Sequence, residues 1–370
     1  MTATDEMKAF VGSAVGRAAR RALRLAPVPI WRRLVPKTEL GVCYHMVSDR
    51  AAAHIKHYQV LDTTAFEADL DYLQGNFDFI SYEELVQRRR AGKQVRDNSM
   101  ILTFDDGFAE CASVVAPLLR RRGVSCVFFV ITDLIDNNEL FRESQAALCI
   151  GEILKRPVSH VEEIVDDLEL GPRLQSQSAW LGDSALLSLD IAGFGAEPDP
   201  QLRPLLHWLL NLPPEESEAL DRLSARLAVD PQTYLRQAQP YLTTAQIRQL
   251  QADGFTVGAH SRSHRRLQHL PRAEAEREIV ESCRIIQGIT GQDSVPFAFP
   301  YFGGDLDRTW LAQLREQNDV IGLFFDTDGL REDEPFVVQR VFGERLGPDR
   351  TMDAILRRAW SRRPAWSKRG

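Results

Sequence analysis

The sequence predicts an α/β fold with a mostly parallel sheet, on three observations. Short apolar, β-leaning runs alternate with helix-length segments, and several of those segments open with a hydroxyl residue followed three positions later by Glu or Gln. One of the runs delivers two adjacent carboxylates to a glycine turn. Strand then helix, repeated, is the signature of parallel strands joined by crossover helices. In such sheets ligands bind beyond the carboxyl ends of the strands, so acids at a strand's last residues stand at the mouth of a site rather than in the core.

The elements follow in order. Leu40–His45 reads as the first strand. Thr64-Ala65-Phe66-Glu67 and Ser81-Tyr82-Glu83-Glu84 each carry the capping-box pattern that opens a helix. Strands over Met100–Phe104 and Ser125–Ile131 are separated by a helix over Glu110–Arg122. Thr243 to Gln246 offers another capping box, for a helix that runs through Gln251. A strand around Val257, a helix over Ala273–Thr290, a strand around Phe297, a helix over Arg308–Gln317 and a strand over Gly322–Phe325 complete the alternation. A chain of 370 residues with 44% hydrophobic content has room for one α/β barrel plus an insertion, or for two domains. Motif spacing alone does not separate a barrel from an open sheet.

The run Ile101-Leu102-Thr103-Phe104-Asp105-Asp106-Gly107 carries the adjacent acids. Neighbouring residues point in different directions as a strand ends, so one carboxylate can bind a metal while the other accepts a proton. Further on, the strand-like Gly254–Ala259 is followed by His260-Ser261-Arg262-Ser263-His264. If the strand gives way to a helical turn, histidines at i and i+4 lie on one face and can share a metal. With Asp106 they make a set of two histidines and one aspartate, which leaves coordination open for water and substrate and so suits catalysis.

These motifs resemble those of the polysaccharide deacetylases, also called NodB-homology or carbohydrate esterase family 4 proteins. Thr103-Phe104-Asp105-Asp106-Gly107 is similar to their first motif and His260-Ser261-Arg262-Ser263-His264 to their second. Phe297-Ala298-Phe299-Pro300-Tyr301 is similar to the third, and Val42-Cys43-Tyr44-His45 carries the Tyr-His pair of many members. The resemblance covers residues 40–135 and 240–345. It implies a distorted (β/α) barrel of the polysaccharide deacetylase type, here with a helical insertion.

By the same resemblance, Asp106, His260 and His264 hold zinc, with cobalt or nickel as alternatives, and Asp105 is the general base. The metal polarises the carbonyl of an N-acetyl group, and the oxyanion sits between metal and a backbone N–H, that of Tyr301 beside Pro300. Two departures stand out. The family's arginine two residues before the proline is Ala298 here, and Arg340, from the apolar stretch Phe336–Phe342, either substitutes for it or is an ordinary surface arginine. The late histidine of many members is missing, since the last histidine is His269. His45 is then the candidate for a second catalytic group, though Asp105, once protonated, could also hand its proton on. The remaining histidines, His54, His57, His160, His207 and His269, read as surface or packing residues.

Residues from about 140 to 240 break the rhythm, with acidic runs such as Glu162-Glu163 and the punctuators Gly193-Phe194-Gly195 and Pro213-Pro214. This stretch reads as a helical insertion over the barrel mouth, serving as a lid, substrate selector or partner surface, or as an embellishment without substrate contact. The expected organisation is a basic amphipathic segment over 1–38, a barrel domain over 39–350 carrying that insertion, and a basic tail over 351–370. Arginines interrupt the apolar residues of the first segment, so no run resembles a signal or transmembrane stretch, and a cytoplasmic location is expected. The net charge is −7 while basic residues gather at both ends, which allows weak contact with the inner membrane face. The five scattered cysteines read as buried free thiols.

The function expected is metal-dependent removal of N-acetyl groups from a sugar of a polysaccharide or its precursor. The partner is an N-acetylated glycan or lipid-linked saccharide, not a nucleic acid. Two rivals compete with this reading: a catalytically inactive glycan-binding or scaffold member, suggested by Ala298, and a glycosyltransferase in which Asp326-Thr327-Asp328 holds a metal-bound nucleotide sugar.

Overall fold

In a computed structural model of the chain, the described residues are 40–50, 52–55, 60–91, 98–178, 198–212, 216–330, 333–344 and 351–362. The expected basic N-terminal segment, the last residues of the basic tail and His57 lie outside them.

Among the described residues, eight strands carry the architecture: β1 (Leu40–Tyr44), β2 (Asp78–Phe79), β3 (Ser99–Phe104), β4 (Cys126–Val130), β5 (Thr256–Ala259), β6 (Val295–Ala298), β7 (Ile321–Asp326) and β8 (Val337–Phe342). Every pairing is parallel. β1 pairs with both β3 and β8, so the seven strands other than β2 close into a barrel, and β2 adds to the start of β3. The fold predicted through the resemblance is the fold found.

Closure puts alternate residues of each strand inside. Ile101, Val127, Phe129, Ala298, Leu323, Phe325 and Val338 form one buried cluster, and by the same alternation Thr103 and Arg340 join that interior. Gly41 lies opposite Arg340 in the ladder, and a Cβ on it would stand 2.5 Å from the Cγ of Arg340. Glycine there gives the long arginine its passage through a crowded interior.

Helices α1 (Thr63–Asn76), α2 (Tyr82–Arg90), α3 (Ala116–Arg122), α4 (Thr244–Ala252), α5 (Arg272–Thr290), α6 (Arg308–Gln317) and α7 (Met352–Arg362) belong to the same unit as the barrel. Ser81 caps α2 by accepting the N–H of Glu84 at 3.1 Å, and Thr243 and Gln246 form the reciprocal box that opens α4. The helix expected over Glu110–Arg122 is α-helical only from Ala116, because Cys111–Val115 forms a π-helical turn just after the Asp-Asp-Gly segment.

A second compact unit comprises Ser48–Asp62 and Leu134–Tyr241. Its helices include Arg142–Ile153, Val158–Asp167, Arg203–Leu210 and Ser217–Arg226, packed on a core of Ile150, Ile153, Leu206, Trp208, Leu220 and Leu223. His54 is buried in this unit, with Nδ1 2.8 Å from the hydroxyl of Tyr234, and is a packing residue. Among the described residues no helix is long and apolar enough to cross a membrane. All five cysteines are buried and free.

Candidate metal centre

The carboxyl end of β3 determines where the acids go. The N–H of Asp105 still bonds to the carbonyl of Tyr44 at 2.9 Å, but Asp106 and Gly107 both take left-handed backbone, with φ of 69° and 75°. That break in the extended chain gives the two carboxylates different partners, although both stay within 3.8 Å of His260 Nε2. A Cβ on Gly107 would meet Val130 Cγ1 at 2.8 Å, so the turn is tied to glycine by space as well as by φ.

The histidine segment corrects an expectation. Residues 260–264 do not form a helical turn: Ser261 and His264 have φ of 61° and 58°, and the segment is a loop. A buried carboxylate from α5 shapes it. Glu278 Oε2 accepts the N–H groups of Arg262 and Ser263 at 2.8 and 3.0 Å, and Oε1 accepts the Ser263 hydroxyl at 2.7 Å. The Ser261 hydroxyl accepts the N–H of His264 at 2.9 Å. Loop bonds of this kind compete with helix formation, and they still bring the two imidazoles together, with centroids 4.9 Å apart.

Asp106, His260 and His264 each present a ligand atom within 4.8 Å of the others, and all three are buried. Asp106 Oδ1 lies 3.5 Å from His260 Nε2 and 3.6 Å from His264 Nε2. Ligands about 2.0–2.2 Å from one tetrahedral ion stand roughly 3.4 Å from each other, so the triangle fits. His260 Nδ1 lies 2.9 Å from the carbonyl of Ala298, which can only accept, so Nδ1 carries a proton and Nε2 is the nitrogen turned to Asp106. Burial, then the neighbouring His260 and His45, push His264 well below the ordinary histidine range and keep its ring neutral.

Asp105 is turned to another partner. Its Oδ1 and Oδ2 accept from Arg340 Nη1 and Nη2 at 2.7 and 2.9 Å, and Nη1 also reaches the Thr103 hydroxyl at 3.0 Å. Arg340 is fully buried, not a surface residue, and its guanidinium lies 5.3 Å from the Phe129 ring centroid. Ala298, where the family's arginine is expected, is part of the apolar interior. Burial alone would raise the Asp105 pKa, but Arg340 and then His260 hold it well below the ordinary carboxylate range. Asp105 also groups with Cys43 and His45 within 4.8 Å. A cation is disfavoured there, since Arg340 takes both carboxylate oxygens and burial pushes the Cys43 thiol well up.

His45 has a partner that sequence reading missed. Glu344 Oε1 accepts the backbone N–H of His45 at 2.5 Å and stands 2.9 Å from its Nδ1. Burial opposes charge on the ring, but Glu344 and then Asp106 and Asp105 overcome it and bring the His45 pKa to about 9. Glu344 lies two residues beyond β8, an acid at a strand's carboxyl end like Asp105, and that position was the available signal. Pro300 is buried in the turn after β6. Tyr301 has φ of 61°, and its ring stands 4.9 Å from that of His264, with Arg266 stacked 3.8 Å from its centroid.

The sequence profile described as polysaccharide deacetylase matches residues 92–164 and 228–318, which contain both the Asp-Asp-Gly and the His-x-x-x-His segments. Those two stretches carry a polysaccharide deacetylase domain. His45, Arg340 and Glu344 lie outside the residues matched to the family. YxkH of Bacillus subtilis (strain 168), assigned as a polysaccharide deacetylase, is 24% identical over 146 residues, which is 39% of this chain and 49% of that relative. The match thus spans about half the length of the relative. The Streptococcus pyogenes deacetylase PplD in complex with acetate superposes with a TM-score of 0.50 at 13% identity, over 88% of this chain and 99% of that one. That is a likeness of fold. IcaB from Ammonifex degensii gives a TM-score of 0.48 at 16% identity, over 88% and 97%.

Proposed function

We propose that this chain is a metal-dependent hydrolase that removes N-acetyl groups from a sugar of a polysaccharide or of its lipid-linked precursor. The observation that carries the reading is the juxtaposition of an Asp106, His260 and His264 triangle with a second carboxylate, Asp105, 3.8 Å from His260 and held through both oxygens by Arg340. An inactive glycan-binding protein has no need of that second acid. Nor does Asp326 have an oxygen to spare for a nucleotide-bound metal, since its two oxygens already take backbone N–H groups and Arg308.

Asp106, His260 and His264 would hold the ion, zinc first and cobalt or nickel as alternatives. When bound, it supplies a Lewis acid for the acetyl carbonyl and lowers the pKa of water. Asp105, ionised throughout the neutral range, takes the proton of the attacking water. Arg340 holds both oxygens and so orients the carboxylate. The N–H of Tyr301 donates to the developing oxyanion. His45, doubly protonated with Nδ1–H on Glu344, gives its Nε2 proton to the leaving amine.

The test is metal content by elemental analysis together with acetate release from N-acetylglucosamine oligomers. Wild type should hold about one divalent ion per chain, as a three-ligand site requires, and release acetate. The double variant His260→Ala, His264→Ala should do neither, and Asp105→Asn should keep the metal but not the activity. A folded wild type that takes up neither zinc, cobalt nor nickel would sink the reading.

A further inference from the structure

The Asp326-Thr327-Asp328 run plays no part in the proposed chemistry, yet its first residue is fully buried at the carboxyl end of β7. Asp326 Oδ1 accepts the N–H of Gly303 at 2.8 Å and that of Thr327 at 2.8 Å, while Oδ2 receives Arg308 Nη2 at 2.9 Å. Arg308 is itself fixed by Asp333 through bonds of 2.9 and 2.8 Å, and it donates Nη1 to the carbonyl of Gly303 at 2.7 Å. Both backbone groups of Gly303 are therefore taken up by one buried network. The Thr327 hydroxyl donates to the carbonyl of Tyr301, and the N–H of Phe299 bonds to the carbonyl of Phe325 at 3.0 Å.

Residues 299, 301 and 303 are thus tied in turn to the end of β7, and the loop between them contains Pro300 and the left-handed Tyr301. A residue with a Cβ holds such a backbone only where its surroundings fix it. The turn is tight as well: a Cβ on Gly303 would stand 2.4 Å from the Phe299 ring. An oxyanion donor works only when it is aimed before the charge develops, and a loop tied at every second residue meets that need.

We propose that Asp326 and Thr327 are positioning residues that fix the Phe299–Gly303 loop so that the Tyr301 N–H is aimed at the acetyl oxygen, an inference that rests on the hydrolase reading above. Thr327 acts directly on the Tyr301 carbonyl, and Asp326 acts through Gly303 and Arg308. Asp328 is exposed.

The test uses the full chain with zinc added, comparing wild type with Thr327→Val, Thr327→Ser and Asp326→Asn. Four quantities are measured: zinc affinity by chelator competition, affinity for methylphosphonate as a tetrahedral anion, and kcat and KM for acetate release. Thr327→Val should weaken methylphosphonate binding and lower kcat by about 10-fold each, with KM and zinc affinity little changed. Thr327→Ser should restore both, and Asp326→Asn should follow Thr327→Val. Wild-type methylphosphonate affinity in Thr327→Val overturns the proposal, as does a loss of zinc affinity in place of anion affinity. Acetate release by the wild type judges the hydrolase reading separately, so the two failures are distinguishable.

Discussion

Arg340 on β8 and Asp105 at the end of β3 lie 235 residues apart in the chain and share two parallel hydrogen bonds of 2.7 and 2.9 Å in the closed interior of the barrel. The arginine that the family's third motif would supply comes here from the strand that closes the ring. A guanidinium is suited to the task because its fork matches both oxygens of a carboxylate.

Arg340→Lys keeps the charge but offers one donor point in place of two. Acetate release should fall by about 10-fold or more and stability by roughly 1–3 kcal/mol, with the metal retained. Urea denaturation and elemental analysis check this, and unchanged activity would show that the orientation of Asp105 does not matter.

Gly41→Ala should imitate that loss from the other side of the ladder. Its new Cβ would sit 2.5 Å from Arg340 Cγ, so the arginine or its strand must shift. Overpacking of this kind costs roughly 1–3 kcal/mol. Thermal unfolding should record the destabilisation and chelator competition an unaltered zinc affinity.

Glu278→Ala removes the acceptor of three bonds that shape the His260–His264 loop. Partners behind metal ligands are typically worth about 10- to 100-fold in affinity, and a loss of that size is expected in chelator competition. If affinity is unchanged, the loop is held by its other contacts.

Glu344→Gln bears on the proton donor. A histidine whose pKa is raised to about 9 is protonated below that pH and loses its proton as pH rises through it. The kcat/KM profile should therefore have a descending limb near pH 9 in the wild type. Removing the Glu344 charge should move the limb toward neutral pH, and a limb that stays in place would exclude His45 as the acid.

His54 gives the second unit a pH dependence of opposite origin. Burial lowers its pKa from 6.5 to about 4, so the unfolded chain binds more protons between those values and stability falls on acidification through that window. The loss approaches ~3 kcal/mol below the folded value. His54→Gln should flatten the slope of urea stability between pH 6.5 and 4.

The sequence by itself determined whatever depends on residues a few positions apart. Ser81 and Thr243 start helices because a hydroxyl and the N–H three residues on can meet only at a helix end. The alternation of strands and helices gave a parallel sheet, and an apolar run ending in Asp105 and Asp106 placed two acids at its carboxyl edge. The motifs themselves suggested grouping Asp106 with His260 and His264, and the family resemblance supplied the choice of a barrel over an open sheet. Tertiary structure decided the rest. Whether Arg340 meets Asp105 depends on closure of β8 against β1, and the space it occupies depends on Gly41 across that seam. Glu344 reaches His45 for the same reason, since the two are neighbours only where the ring is shut. The His260–His264 segment is a loop rather than a helical turn because Glu278, from a helix further along the chain, takes its N–H groups. Contacts of this kind depend on register and ring closure, which no pattern of neighbouring residues encodes.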